Sequence, residues 1–366
     1  MSTFGKLKRV FTSQSSQADS VSARYDALRS VDVPVTDDDC RFCPDPCDQA
    51  DHDDFTKMSI DTETDLLGSV KPYRRQVVIS TGKSDWHQEV TEADGTLAAF
   101  LCSVNERRSA KSDNIGKSAP KGNKSLLSGL FTQDTSNRLS ILNGSHHSLS
   151  LHHDSTSKLE TVIILPDYKV ITDVPRSLEG AETLWKSAID PAYGRTGSPE
   201  RSDTLKSWVL PYSCLILLCS HKRRDKRCAI AAPVLEKTFT QSLEREGWEV
   251  HTDLEDLSNE PTLEHLLGVG NADGADPETV YQSQLTALPG QHRALILRNS
   301  HIGGHKFAGN VIIHTPAGAS VWYGRVTAHH VESIVRNTII GGCVLPPILR
   351  GGLNLARPGC ATLYDW

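Results

Sequence analysis

Two pairs of residues in this chain are spaced for metal chemistry. One is Cys219 and Cys228, with eight residues between them; the other is the two imidazoles of His301-Ile302-Gly303-Gly304-His305. Thiolates and neutral imidazoles ligate both zinc and iron–sulfur centres, and four of them suit one Zn²⁺ or one [2Fe–2S] cluster. The eight-residue gap is wider than the knuckle of zinc fingers and ribbons, and a two-iron cluster tolerates such spacing. A Rieske arrangement takes one Cys and one His from each ligand loop; here Cys pairs with Cys and His with His. Gly303 and Gly304 supply backbone that turns tightly and approaches an inorganic sulfide closely. Zinc in a structural Cys2His2 module is the competing use of the same four residues. A dithiol exchanging Cys219 with Cys228 is the weakest, because of the gap.

The elements that must position these ligands read as follows. An apolar run from Trp208 to Leu218 predicts a strand ending at Cys219. After the polar loop, Ile230, Val234, Leu235, Phe239 and Leu243 recur at helical spacing, with Pro233 expected near the first turn. Arg293–Arg298 predicts the strand before the His loop. Asn310–His314 and Ser320–Val326 form a hairpin across Pro316-Ala317-Gly318, and a helix is expected over Val331–Ile340. The order β-α-β-β-β-α is that of a small thioredoxin-like α/β domain, in which the loops carrying both pairs meet at one sheet end.

The length, 366 residues, allows two domains. Residues 1–58 are predicted to be a disordered, Cys- and Asp-rich segment, and 59–204 an N-terminal α/β domain with strands at Gln76–Ser80 and Thr161–Leu165 and helix around Ala181–Lys186. A Ser-, Lys-, Asn- and His-rich stretch at about 105–160 reads as a disordered insertion, since it offers little apolar surface to offset ordering entropy. Residues 205–366 form the ligand-bearing domain, with an acidic, Gly-containing stretch from Asp253 to Pro289 as a further insertion.

Lys and Arg total 39 against 45 Asp and Glu, a net −6 that argues against nucleic acid as a partner. No apolar run approaches the ~18 residues of a membrane-spanning helix. Nine unevenly spaced cysteines without a secretory leader point to a reducing compartment, the cytosol first and the mitochondrial matrix as the alternative. Cys40, Cys43 and Cys47, near His52, form a weaker candidate for a second metal, while His146, His147, His152 and His153 read as solvated linker residues. No phosphate loop, catalytic triad order or H-E-x-x-H helix occurs, so catalysis is not expected.

Cys219-Ser220-His221, Arg224-Asp225-Lys226-Arg227-Cys228, Ala232-Pro233, the run His301 to Asn310, Trp322 to Thr327, and Ser80–Trp86 together resemble the sucrase/ferredoxin-like family. The resemblance implies two domains, the C-terminal one a thioredoxin-like ferredoxin whose [2Fe–2S] cluster is held by Cys219, Cys228, His301 and His305. Imidazoles in place of two thiolates remove negative charge, which raises the reduction potential, and an ionisable ring N–H couples electron to proton transfer. Lys222, Arg223, Arg224, Lys226 and Arg227 form a positive cap that can steer an acidic redox partner. The end Leu363-Tyr364-Asp365-Trp366 resembles the C-terminal tail by which cytosolic iron–sulfur proteins are selected by the cluster-targeting machinery, with Tyr364 departing from the usual aliphatic residue.

Overall fold

Strand alternation sets the architecture of the computed structural model, which describes residues 22–38, 58–113, 127–149, 158–198, 205–266 and 276–365. In the first half, β1 (Arg75–Ser80) lies parallel to β3 (Leu139–Gly144) and antiparallel to β4 (Leu159–Leu165), which continues to β5 (Lys169–Pro175) and β6 (Lys206–Val209). In the second half, β7 (Cys214–Cys219) lies parallel to β9 (Arg293–Asn299) and antiparallel to β10 (Val311–His314). The hairpin partner β11 (Ser320–Tyr323) and then β12 (Leu349–Leu353) extend that side, and β8 (Glu249–His251) pairs with the far edge of β9. The short β2 (Leu130–Phe131) pairs with β12, and the single pair Gly144 and Asn299 links the halves into one connected sheet.

Because successive strand residues point to opposite faces, each half-sheet has two apolar faces to bury. Val77, Ile79, Val162 and Ile164 pack under α2 (Leu97–Asp113) and α3 (Leu178–Leu184). On the second half-sheet Ile216, Leu218, Ile296, Val311 and Ile313 pack under α4 (Lys226–Arg245) and α7 (Ala328–Ser333). The alternate residues, Val78, Ile163 and Leu165 of the first half and Leu215, Leu217, Leu295 and Ile312 of the second, share one core. The result is helix, half-sheet, half-sheet, helix: a mixed α/β architecture in which the two halves meet through a common apolar layer.

Several expectations change. The stretch 105–160 is not simply an insertion, since it supplies β3, next to β1 and touching β9. Its polar Ser140 and Asn143 are buried, Ser140 Oγ accepting from the Gln76 amide and the Asn143 backbone bonding Ser300 through both its N–H and its carbonyl, so they do not mark solvent. His146 is likewise fully buried, not solvated. Within 1–58, residues 22–29 form helix α1, and Leu28 and Val33 are buried against the second half. The run Trp208–Leu218 is two strands, with Trp208 on β6 of the first half-sheet. The acidic stretch after Asp253 carries α5 (Leu263–Leu266) and α6 (Pro277–Ala287), whose Leu263, Tyr281 and Leu285 close the shared core. Helix α4 starts earlier than expected, on its N-cap Asp225, which places Pro233 in its interior; there the missing N–H leaves the Ala229 carbonyl without its helical donor. Among the described residues, no helix is long and apolar enough to cross a membrane.

Candidate metal centre

The register explains why the two ligand pairs meet. β7 and β9 run parallel with Cys219 opposite Asn299, and β10 returns with Val311 opposite Leu218. The chain therefore leaves β7, leaves β9 and enters β10 at one end of the sheet. Backbone bonds from Cys219 N–H to the Asn310 carbonyl and from Ser220 N–H to the Asn299 carbonyl tie those exits together.

Cys219 ends β7, and Cys228 lies in the first turn of α4, where the positive end of the helix dipole favours an anionic ligand. Both cysteines are buried, at 3% and 1% exposure, in an apolar cluster with Ala308, Ile302 and Ile60. Their sulfurs interact directly. The Cys219 thiol is held well below the usual thiol range, first by a hydrogen bond from the Cys228 side chain and then by His301 and the Ile302 backbone N–H. Cys228 is pushed up, because it keeps the proton the pair shares and because it is buried.

The His loop turns through Gly303 and Gly304, both left-handed at φ 81° and 71°. It then makes a tight turn, His305–Phe307, closed by the Phe307 N–H on the Gly304 carbonyl. The rings of His301 and His305 lie 5.4 Å apart, centroid to centroid. The Nδ1 atoms of both are buried without any hydrogen-bond partner. Burial, followed by the like charges of His301, Arg227 and Arg224, shifts His305 down, toward the neutral ring that ligates metal. A buried polar nitrogen without a partner is costly. Two such nitrogens beside two buried thiols fit a soft-ligand centre, and the glycine turn leaves space for it.

Surrounding residues hold these loops. His221 is buried; its Nδ1 accepts from the His301 backbone N–H at 3.2 Å, so its Nε2–H donates to the Trp86 carbonyl at 2.9 Å. The first half also grips the Cys loop through Ser220 Oγ on the Ser84 carbonyl, Arg223 with Asp85 and Arg224 with Glu89. The loop cations expected to form an open positive cap are therefore partly neutralised, since Arg227 is paired with Asp225 as well. Over the site runs the segment at 59–64. Arg227 holds the Ser59 carbonyl at 2.6 Å, Ile60 lies on the cysteines, and Asp61 pairs with Lys306 at 3.0 Å. Nothing in the spacing of residues 59–61 signals this contact. Arg350, 1% exposed on β12, donates to the Gly303 carbonyl and to Asn310 Oδ1, and it too lies too far along the chain to be found by spacing.

Among the described residues, Glu249, His251 and Glu255 bring three ligand atoms within 4.8 Å of one another. Arg293 is paired with both of those carboxylates, so the group is already partly neutralised as an ion-pair network. Cys40, Cys43, Cys47 and His52, like His152, His153 and Trp366, lie outside the described residues. The residues before Trp366 are anchored: the Asp365 carboxylate accepts from the Ala361 and Thr362 N–H groups, and Leu363 is buried.

The chain is similar to Actin patches distal protein 1 of Saccharomyces cerevisiae, 27% identical over 88% of each chain. It is also similar to Altered inheritance of mitochondria protein 32 of Meyerozyma guilliermondii, 31% identical over 38% of this chain and 35% of that protein, and to the protein of the same name from Debaryomyces hansenii, 33% identical over 37% and 35%. No solved structure matches. The sucrase/ferredoxin-like family model matches residues 66–351, a stretch that contains β1 to β11, the start of β12 and all four candidate ligands: the chain belongs to this family.

Proposed function

We propose that Cys219, Cys228, His301 and His305 ligate a [2Fe–2S] cluster and that the protein is a one-electron carrier or redox sensor without catalysis of its own. The observation that carries this reading is that two imidazoles whose Nδ1 atoms are buried without partners lie 5.4 Å apart, ring to ring, at the sheet end that also holds two buried free thiols. A [2Fe–2S] cluster bound there supplies a one-electron couple of elevated potential, since two of its four ligands are neutral. Around it, His221 holds the His301 backbone, and the first half clamps the Cys loop through Ser84, Trp86 and Glu89. Ile60 and Ala308 keep water off the thiols, while both histidines stay partly exposed, on the side where an electron can leave.

The strand order of the second half supports a thioredoxin-like ferredoxin fold. β9, β7, β10 and β11 lie side by side in that order, with β7 and β9 parallel, as in a thioredoxin-like sheet. A zinc-bound structural module is the second reading, since zinc accepts the same donor set.

The free thiols at Cys102, Cys214, Cys343 and Cys360 accord with a reducing compartment, and we assign the cytosol. Metal analysis of the full chain purified without air tests the main reading: two iron and two acid-labile sulfide per chain are expected, and one zinc without iron overturns it.

A further inference from the structure

Arg350 is among the most deeply buried side chains of the protein and carries a full charge. Buried charges are normally paired with an opposite charge. Yet among the described residues no carboxylate lies within ion-pair distance of this guanidinium. Its donors go to neutral oxygens: Nε to Ser69 Oγ at 3.0 Å, Nη2 to the Ser69 carbonyl at 3.2 Å, and Nη1 to the Gly303 carbonyl at 3.1 Å and Asn310 Oδ1 at 2.7 Å. The rings of Phe307 and Trp322 lie 5.7 and 5.9 Å from its carbon. The fold makes room for it, because a Cβ at Gly304 would collide with the guanidinium and one at Gly324 would press on its methylenes. Burial lowers its pKa to about 10, and the negative potential of the Cys219 and Cys228 pair works against that shift.

We propose that Arg350 is the built-in counter-charge of the centre, a positioning residue that holds the His301–His305 turn and makes electron uptake at the centre easier. This rests on the [2Fe–2S] reading above. With two thiolates and two neutral imidazoles, a two-ferric, two-sulfide core is neutral overall, and one electron from an external one-electron donor leaves one negative charge in a buried site. A fixed cation nearby stabilises the charged state over the neutral one, and low local polarity magnifies the difference. The zinc alternative, neutral and redox-inert, would leave the buried guanidinium without an anion to answer.

The test compares the full chain, purified without air, as wild type, Arg350→Gln, Arg350→Lys and Asn310→Asp, by iron and sulfide content and by dye-mediated titration of the visible absorbance. At the wild-type midpoint, Arg350→Gln is expected to lower the ratio of reduced to oxidised protein at least tenfold, which for one electron is about 59 mV. Asn310→Asp, placing a carboxylate where Arg350 already donates, is expected to lower it similarly while leaving the arginine in place. Arg350→Lys, keeping the charge, restores it. A purely structural role predicts the reverse: lowered iron content in every variant, with an unmoved potential in whatever protein is loaded. That result overturns the proposal and spares the cluster reading. Should Arg350→Gln fail to fold, the other two variants decide, and equal potentials in them overturn it. A colourless, zinc-bound wild type overturns both.

Discussion

Acid should loosen the joint between the two halves at His314. This residue ends β10, is 1% exposed, and donates from Nε2 to Gln76 Oε1 at 3.0 Å, tying the second half-sheet to β1 of the first. Its Nδ1 is buried with no partner, so a second proton there has nothing to bind to. Burial alone lowers its pKa from 6.5 to about 3. The unfolded chain therefore takes up the proton first as the pH falls. The stability His314 contributes is complete above about pH 6.5 and is lost at roughly 1.4 kcal/mol per pH unit from there toward pH 3. At pH 4.5 the loss is about 3 kcal/mol, a large share of the 5–15 kcal/mol typical of a domain. Urea unfolding followed by tryptophan fluorescence at pH 7.5, 6.5, 5.5 and 4.5, in wild type and His314→Gln, isolates this group from the carboxylates common to both. The wild type should lose about 3 kcal/mol more than the variant between pH 7.5 and 4.5. Parallel pH profiles would mean that His314 is not the group whose burial acid opposes.

Three further outcomes are expected. Replacing His301 or His305 by Cys adds a negative charge at the centre, so iron content is retained, the potential falls and its pH dependence flattens; potentiometry at pH 6 to 9 that shows no change tells against imidazole ligation. Gly304→Ala forces a Cβ onto Arg350 at φ 71° and is expected to cost about 1–2 kcal/mol in backbone conformation alone, seen as a fall in Tm of several degrees; a wild-type Tm contradicts the account of that turn. Leu217→Ala opens the layer between the half-sheets and is expected to destabilise the chain by roughly 2–5 kcal/mol in chemical denaturation, where a change below 1 kcal/mol would mean that the layer is not a packed core.

That the loop after Cys219 and the loop from His301 to His305 meet was legible in the sequence, because each follows an apolar run that reads as a buried strand. Leu215 to Leu218 and Leu295 to Leu297 are such runs, and parallel pairing carries both loops to the same sheet end. The hairpin through Pro316-Ala317-Gly318 was legible for the same local reason. Features that depend on distant pairing were not. β3 carries Ser140 and Asn143, which look like linker residues until Gln76 and Ser300 are set beside them. The apolar residues of 253–289 are diluted by acids, and only the shared core shows why Leu254, Leu257, Leu263, Tyr281 and Leu285 are there. Ile60, Asp61 and Arg350 reach the centre from far along the chain, with no local pattern to betray them.

The most direct test of the central claim is the electron paramagnetic resonance spectrum of the full chain, purified without air and reduced with dithionite, read beside its visible spectrum before reduction. The account predicts a red-brown protein whose reduced form gives the signal of a nitrogen-ligated [2Fe–2S] centre, lost together with the colour in Cys219→Ser. A colourless, signal-free protein holding one zinc would contradict it.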